Sequence, residues 1–351
     1  MATSAQDIVR ILQAAGGFIP DVDSNEYYVV LEESNELSER HWFGSQLASE
    51  TLIALDIRTN SPAVYAVHDD IRSVFCVGEN NALRLYTLRE DEWQKVDLAG
   101  NGNILVHPSS RLSGCVDGND SLVFFEDFKG HIRGIRVQRD GRWRFLRPLS
   151  VKSVPGNPHF AQVHDNIIYL SYVHQDGLIH QTGMRIASNV YYGLQLPGTT
   201  ISNAPIENLI AGIHAEVRSE IRDETQNGPR DELEFYLLAL TKKTERRPVE
   251  LVRIDDNGTW TVMGKIVHGL FRHTSDEESN YDVHKAIGSA VRNATGGSGG
   301  RNITGATSGR PTAGRNSGSH SAGRDSGSHS AGGSSGRQTA GGNSGRGTNR
   351  R

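Results

Sequence analysis

A short apolar run, a turn, a brief alternating segment and an aromatic residue recur along this sequence at intervals near 50 residues. The runs are Tyr27–Leu31 (YYVVL), Ser73–Val77 (SVFCV), Leu122–Phe125 (LVFF), Ile167–Leu170 (IIYL) and Phe235–Leu238 (FYLL). Each is rich in β-branched or aromatic residues and bounded by Asn, Asp or Gly, the composition of a strand between turns. The turn-plus-strand pieces that follow are SNELSER (34–40), NNALRLY (80–86), KGHIRGI (129–135) and QDGLIHQ (175–181). The closing aromatics are Trp42, Trp93, Trp143, Tyr191 or Tyr192, and Trp260. Counted through Tyr192, their spacings are 51, 50, 49 and 68, the last lengthened by the polar stretch 220–232 (EIRDETQNGPRDE). A further strand heads the units: LIALDI (52–57), RLSGCV (111–116), HFAQVH (159–164) and LIAGIH (209–214).

A unit of this length with four short strands is a small sheet with two apolar faces. It must stack on its neighbours to bury them, and circular closure removes the exposed ends. The reading is therefore an all-β chain folded as a β-propeller. Residues 18–295 hold five recognisable repeats. Six blades are favoured, with the stretch from Ile266 to Val291 supplying part of the sixth. Before the repeats, residues 1–17 contain the one helix candidate, Ala5 to Ala14, where Ile8, Val9, Ile11 and Leu12 sit at partly helical spacing.

Composition separates the body from a tail. Of 351 residues, 41 are acidic and 37 basic, a net charge of −4. Residues 296–351 carry eight Arg and one Asp, or +7, which leaves −4 − 7 = −11 on residues 1–295. The tail is Gly, Ser, Arg, Asn and Thr, with a nine-residue repeat, GRNSGSHSA (314–322) and GRDSGSHSA (323–331). It lacks the apolar surface that would offset its ordering entropy and is expected to be disordered. Its Arg residues suit weak electrostatic contacts. Binding to nucleic acid is not expected, because no aromatic is interleaved to stack on bases.

Cys76 and Cys115 are too few for a disulfide framework or a thiolate zinc site and are expected as buried thiols. No window has the apolar length of a spanning helix. The start, MATSAQDIVR, lacks a basic stretch followed by an apolar run, so the expected location is the cytoplasm, with non-classical export as the alternative.

Asn35-Glu36-Leu37-Ser38-Glu39 followed by Trp42-Phe43-Gly44-Ser45-Gln46-Leu47 resembles the repeat of the fungal fucose-specific lectins. Phe75-Cys76-Val77 through Asn81-Ala82-Leu83-Arg84 is the next match. Leu52-Ile53-Ala54-Leu55 and Leu209-Ile210-Ala211-Gly212 resemble the strand opening each unit of that family. The likeness spans residues 18–266. It implies a six-bladed propeller that binds fucose in pockets between adjacent blades, each built from an Arg, a Glu about twelve positions later, and a Trp or Tyr. Arg and Glu make directed hydrogen bonds to sugar hydroxyls while an aromatic face covers the apolar side of the ring.

Carried over repeat by repeat, the charged pairs are largely lost. Glu39 is kept in the first repeat, but Tyr27 stands in the Arg position. In the second, Ser73 and Leu85 take the two positions, and Arg72 lies one residue away, on the other face of a strand. Leu122 and Gly134, then Ile168 and His180, follow. In the fifth repeat Leu251 replaces Glu. The candidate ligand-binding residues are Glu39, Trp42, Arg72, Trp93, Trp143, Tyr192 and Trp260.

No catalytic residue, metal site or cofactor is assigned. The chain has no G-x-S-x-G, no P-loop and no dinucleotide fingerprint. His159 and His164 point to opposite faces of a strand. His174 and His180 bracket a turn and match no metal-ligand motif. Three functions follow. The first is a non-catalytic, lectin-like propeller binding a carbohydrate or similar small ligand between blades. The second is a repurposed propeller acting as an accessory protein or enzyme on an apolar metabolite in fungal secondary metabolism, since Tyr27, Leu85, Leu122, Ile168 and Leu251 all shift in the apolar direction. The third is a protein-interaction propeller.

Overall fold

The computed structural model describes residues 5–14, 17–20, 26–68, 71–98, 103–149, 153–164, 166–186, 190–194, 205–214, 234–242, 248–254, 259–267 and 270–273. The tail expected over 296–351 lies outside them. The chain divides into two units, Met1–Ile303 and Thr304–Arg351, and every described residue belongs to the first.

The described residues of that unit form a helix, α1 (Ala5–Ala14), and five antiparallel sheets. The first sheet is β1 (Phe18–Pro20), β2 (Glu26–Glu33), β3 (Glu36–Phe43) and β4 (Gln46–Ala54). The second is β5 (Val64–His68), β6 (Ile71–Val77), β7 (Leu83–Arg89) and β8 (Glu92–Val96). The third is β9 (Leu112–Asp117), β10 (Asp120–Glu126), β11 (Ile132–Val137) and β12 (Trp143–Phe145). The fourth is β13 (His159–His164), β14 (Ile167–Val173), β15 (Ile179–Arg185) and β16 (Val190–Leu194). The fifth is β17 (Ile206–His214), β18 (Glu234–Thr241), β19 (Val249–Ile254), β20 (Trp260–Val267) and β21 (Leu270–His273). Within every sheet the strands lie side by side in chain order.

Tight turns make these meanders. Ser34 and Asn35 join β2 to β3 with φ of 55° and 68°. Glu90 and Asp91 join β7 to β8 with φ of 49° and 64°. Two consecutive left-handed residues give the turn whose twist matches paired strands.

The first strands β1, β5, β9, β13 and β17 pack in succession, which sets the sheets around an axis as the blades of a propeller. The core lies between neighbouring blades. Val30, Leu37 and Ile53 of the first meet Tyr65, Val74 and Cys76 of the second. Val64, Phe75 and Leu85 of the second meet Leu112, Val123 and Ile135 of the third. Leu122, Phe124 and Cys115 of the third meet Ala161, Ile168 and Leu170 of the fourth. Both cysteines are free and buried, and burial pushes the Cys76 thiol up to about 12.

The five recognisable repeats are these five blades. The sixth, favoured from chain length, is not formed among the described residues. The strand character at its expected start belongs to the fifth blade, where Gly264–Val267 of β20 pairs with β21. Residues 274–291 lie outside the described residues. Helix α1 packs against both the fifth blade and β2 of the first: Ile11, Leu12 and Ala14 share one core with Phe18, Tyr27 and Val29 and with Leu209, Leu237 and Leu251.

Two local expectations are corrected. LIALDI does not head the second unit. Its first three residues end β4, Leu52 is 51% exposed, and the inner strand is Val64–His68 instead. Trp42 sits on the third strand of its blade, whereas Trp93, Trp143 and Trp260 sit on the fourth. In the register of β3 with β4, Trp42 faces Leu47.

Candidate functional site

The face of the first blade turned toward the second carries Tyr28 on β2 with Glu39 and His41 on β3. Their register, Val30 opposite Glu39 and Tyr28 opposite His41, puts all three on one face. The facing surface of the second blade carries Tyr65 on β5, Arg72 on β6 and Trp93 on β8. Arg72 is two residues from Val74 and four from Cys76, both in the core between these blades, so the strand period turns it toward the first blade.

The one-residue offset that takes Arg72 out of the expected position within its own repeat therefore aims it across the blade junction. Arg72 Nη1 donates to Glu39 Oε1 at 2.9 Å, and the Tyr65 hydroxyl donates to the same oxygen. The Glu39 side chain is 7% exposed and that of Arg72 28%. Glu39 thus lies buried at the junction and Arg72 reaches toward solvent. Burial raises the Tyr65 pKa, and the Glu39 charge raises it further, so the phenol remains a donor. For Arg72, burial favours the neutral form, but Tyr65 and Glu39 outweigh it and the guanidinium stays charged.

Aromatic surface surrounds this pair. The Arg72 guanidinium carbon lies 4.8 Å from the Tyr28 ring centroid. His41 stacks on Tyr28 with centroids 4.3 Å apart and planes 8° apart, and its Nε2 lies 2.9 Å from Glu26 Oε2. Trp93 packs edge-on against Tyr65 at 6.2 Å. Its indole N–H, like those of Trp42, Trp143 and Trp260, is buried without an acceptor among the described residues. Both hydrogen bonds to Glu39 fall on Oε1, leaving Oε2 to accept from a ligand hydroxyl. A charged donor, a charged acceptor and aromatic faces are the chemistry a polyhydroxylated ring requires.

The structure brings together three of the expected site residues, Glu39, Arg72 and Trp93. Tyr28, His41 and Tyr65 were not singled out by the repeat, because their role depends on which blade faces they share. The other four lie elsewhere. Trp42 is covered by Arg10 of α1, whose guanidinium carbon lies 4.0 Å from the ring centroid. Tyr27 stacks on the same indole at 6.4 Å and donates to Asp7 Oδ1 at 2.9 Å. Trp143 packs edge-on against Phe145 at 5.1 Å. Trp260 packs against the core shared by α1 and the fifth blade. Tyr192 pairs with Gly183 across β15 and β16, and its side chain lies outside the described residues.

A second polar group sits between the third and fourth blades. Ser113 Oγ lies 2.6 Å from His159 Nδ1, and His159 Nε2 lies 3.4 Å from Glu126 Oε2. Serine, histidine and carboxylate in sequence suggest a nucleophile with its base and orienting acid. Burial decides against that use, since all three are walled off from solvent and the His159 and Glu126 side chains are both 0% exposed. The group joins two blades.

No protein-family model matches the chain, and no curated protein matches it in sequence at a significant level. Solved structures do match its fold. A triple arginine mutant of AofleA from Arthrobotrys oligospora is 12% identical, with 74% of this chain and 73% of that chain covered and a TM-score of 0.52. The fucose-specific lectin from Aleuria aurantia, in a mercury-derivative form, is 15% identical over 72% of this chain and 78% of its own, with a TM-score of 0.51. A fungal lectin structure described as a six-bladed β-propeller with a novel fucose recognition mode for Aleuria aurantia lectin is 13% identical over 74% and 78%, at 0.50. The resemblance read from the repeats is borne out in the fold: the chain has the β-propeller arrangement of the fungal fucose-specific lectins, with five blades among the described residues.

Proposed function

We propose that the chain is a non-catalytic, lectin-like propeller that binds a carbohydrate of the fucose type in the cleft between its first and second blades. The observation that carries the proposal is the Glu39–Arg72 pair, with its charges set across the junction beside Tyr28 and Trp93. In this reading Arg72 donates to one sugar hydroxyl and Glu39 Oε2 accepts from its neighbour. An aromatic ring takes the apolar face. The lectins with the same arrangement support a carbohydrate over other small ligands; one, a mutant of the Aleuria aurantia lectin, is in complex with alpha-methyl-L-fucoside.

The later junctions favour a single such cleft. Leu85, Leu122, Ile168 and Leu251, which stand where the family pattern has charged partners, are each 3% exposed or less. They pack as core between blades, which weakens the case for an apolar metabolite pocket at those places.

The test is a glycan array with the full chain and with Arg72→Met and Trp93→Phe. Removing one charged hydrogen-bonding partner costs about 1.5–3 kcal/mol, roughly a 10- to 150-fold loss of affinity. A fucose-dependent signal that falls in both variants is the expected result. A flat array from folded wild-type chain would overturn the proposal.

A further inference from the structure

Outside the blade clefts, the hairpin joining β14 to β15 gathers two imidazoles and a carboxylate. Val173 pairs with Ile179 and Tyr172 with His180. His174 N donates to Leu178 O at 2.9 Å, closing a tight turn over Gln175-Asp176-Gly177, in which Gly177 adopts φ of 80°. His174, one residue beyond the end of β14, follows Tyr172 at the strand's two-residue period, and register places His180 beside Tyr172. The turn then folds Asp176 back between the two histidines. His174 Nδ1 lies 3.0 Å from Asp176 Oδ2, and His180 Nε2 lies 2.9 Å from the same oxygen. One donor atom from each of the three residues falls within 4.8 Å of the others.

From this geometry we propose that His174, Asp176 and His180 form a binding site for a divalent transition-metal ion of the zinc type. Zinc takes imidazole nitrogen and carboxylate oxygen at about 2.0–2.2 Å in a tetrahedron, which sets neighbouring donors about 3.3–3.5 Å apart. Two of the three separations need open by only a few tenths of an ångström to admit the ion. The two-imidazole, one-carboxylate donor set suits zinc, copper or nickel rather than magnesium or calcium.

The donors are also held. Leu178 N donates to Asp176 Oδ1 at 2.8 Å, which leaves Oδ2 to face the histidines. His180 stacks on Tyr172, with centroids 5.9 Å apart and planes 24° apart. His174 meets the same ring edge-on at 6.4 Å. Such outer contacts orient ligands and raise affinity. The residues are half-buried to exposed, with side-chain exposures of 25%, 40% and 40% for His174, Asp176 and His180. An ion therefore reaches them from solvent, and a water completes its coordination.

Calorimetric titration of the full chain with zinc chloride, beside His180→Gln and Asp176→Asn, tests the site. The sequence holds 14 histidines, so the comparison is between proteins, not against zero. The wild type is expected to bind one more equivalent than His180→Gln, or to bind that equivalent at least about tenfold more tightly. Zinc should raise the melting temperature of the wild type and leave that of the variant unmoved. Near-ultraviolet circular dichroism of each protein without metal establishes that the variants are folded. Identical isotherms for wild type and folded variants, or no binding by the wild type, would overturn the site. Neither result bears on the fucose array, which reads the junction of the first and second blades.

Discussion

Glu126 is a fully buried carboxylate that stays ionised because its neighbours hold it so. Burial alone would raise its pKa, but His159, the Ser110 hydroxyl and the Arg111 N–H outweigh burial and hold it below the ordinary 4.5. Ser110 Oγ donates to Oε2 at 2.7 Å and the Arg111 amide at 2.9 Å, while the Gly156 amide donates to Oε1 at 3.2 Å. A native pKa below the unfolded one gives stability that is present above the unfolded pKa and is lost as pH falls through the native value. Urea midpoints measured from pH 7 down to pH 3 should fall below about pH 4.5. The fall should be shallower in Glu126→Gln, which at pH 7 should itself be less stable by about 1.5–3 kcal/mol. The cleft residues were only half legible in sequence. Glu39 and Arg72 were visible as charged residues near strand positions, but their pairing was not. They are 33 positions apart on different blades, and a repeat template asks for partners within one unit. His174 and His180 were hidden for the same reason: they are neighbours through hairpin register, which no helical ligand spacing describes.

At the scale of elements, strands announced themselves where β-branched and aromatic residues ran between turn formers, as in Ser73–Val77 within β6 and His159–His164 as β13. The misreading of LIALDI shows the limit. Apolar content marks a strand, yet only packing tells an outer edge from an inner strand, and Val64–His68 is the buried one. Close approach between elements is equally silent in sequence. Gly114 on β9 lies where a Cβ would meet Val64 Cγ1 at 2.5 Å and Leu122 O at 2.6 Å. The backbone of the third blade thus touches the second with no room for a methyl group. Gly114→Ala should cost about 1–3 kcal/mol by overpacking, read as a lower denaturant midpoint with an unchanged slope.

At the scale of the molecule, length divided by repeat gave five or six blades, and the remainder was assigned to a blade that the described residues do not form. The fifth blade took the added strand β21, and α1 packs against the fifth and first blades. The helix was legible from its apolar spacing. Its destination was not, because an amphipathic stripe states that a face is buried without naming the partner. Leu12 is fully buried in that junction. Leu12→Ala should cost about 2–5 kcal/mol, and denaturation followed by intrinsic fluorescence checks it.

Each sheet is assembled from one uninterrupted interval of chain, and among the described residues no sheet borrows a strand from the far end. The folded unit and the genetic unit therefore coincide. Duplication or deletion of one such interval, in frame, adds or removes a whole blade and severs no ladder of backbone hydrogen bonds. Blade number then becomes a quantity that recombination can change in a single event, with the adaptation confined to the two faces that newly meet.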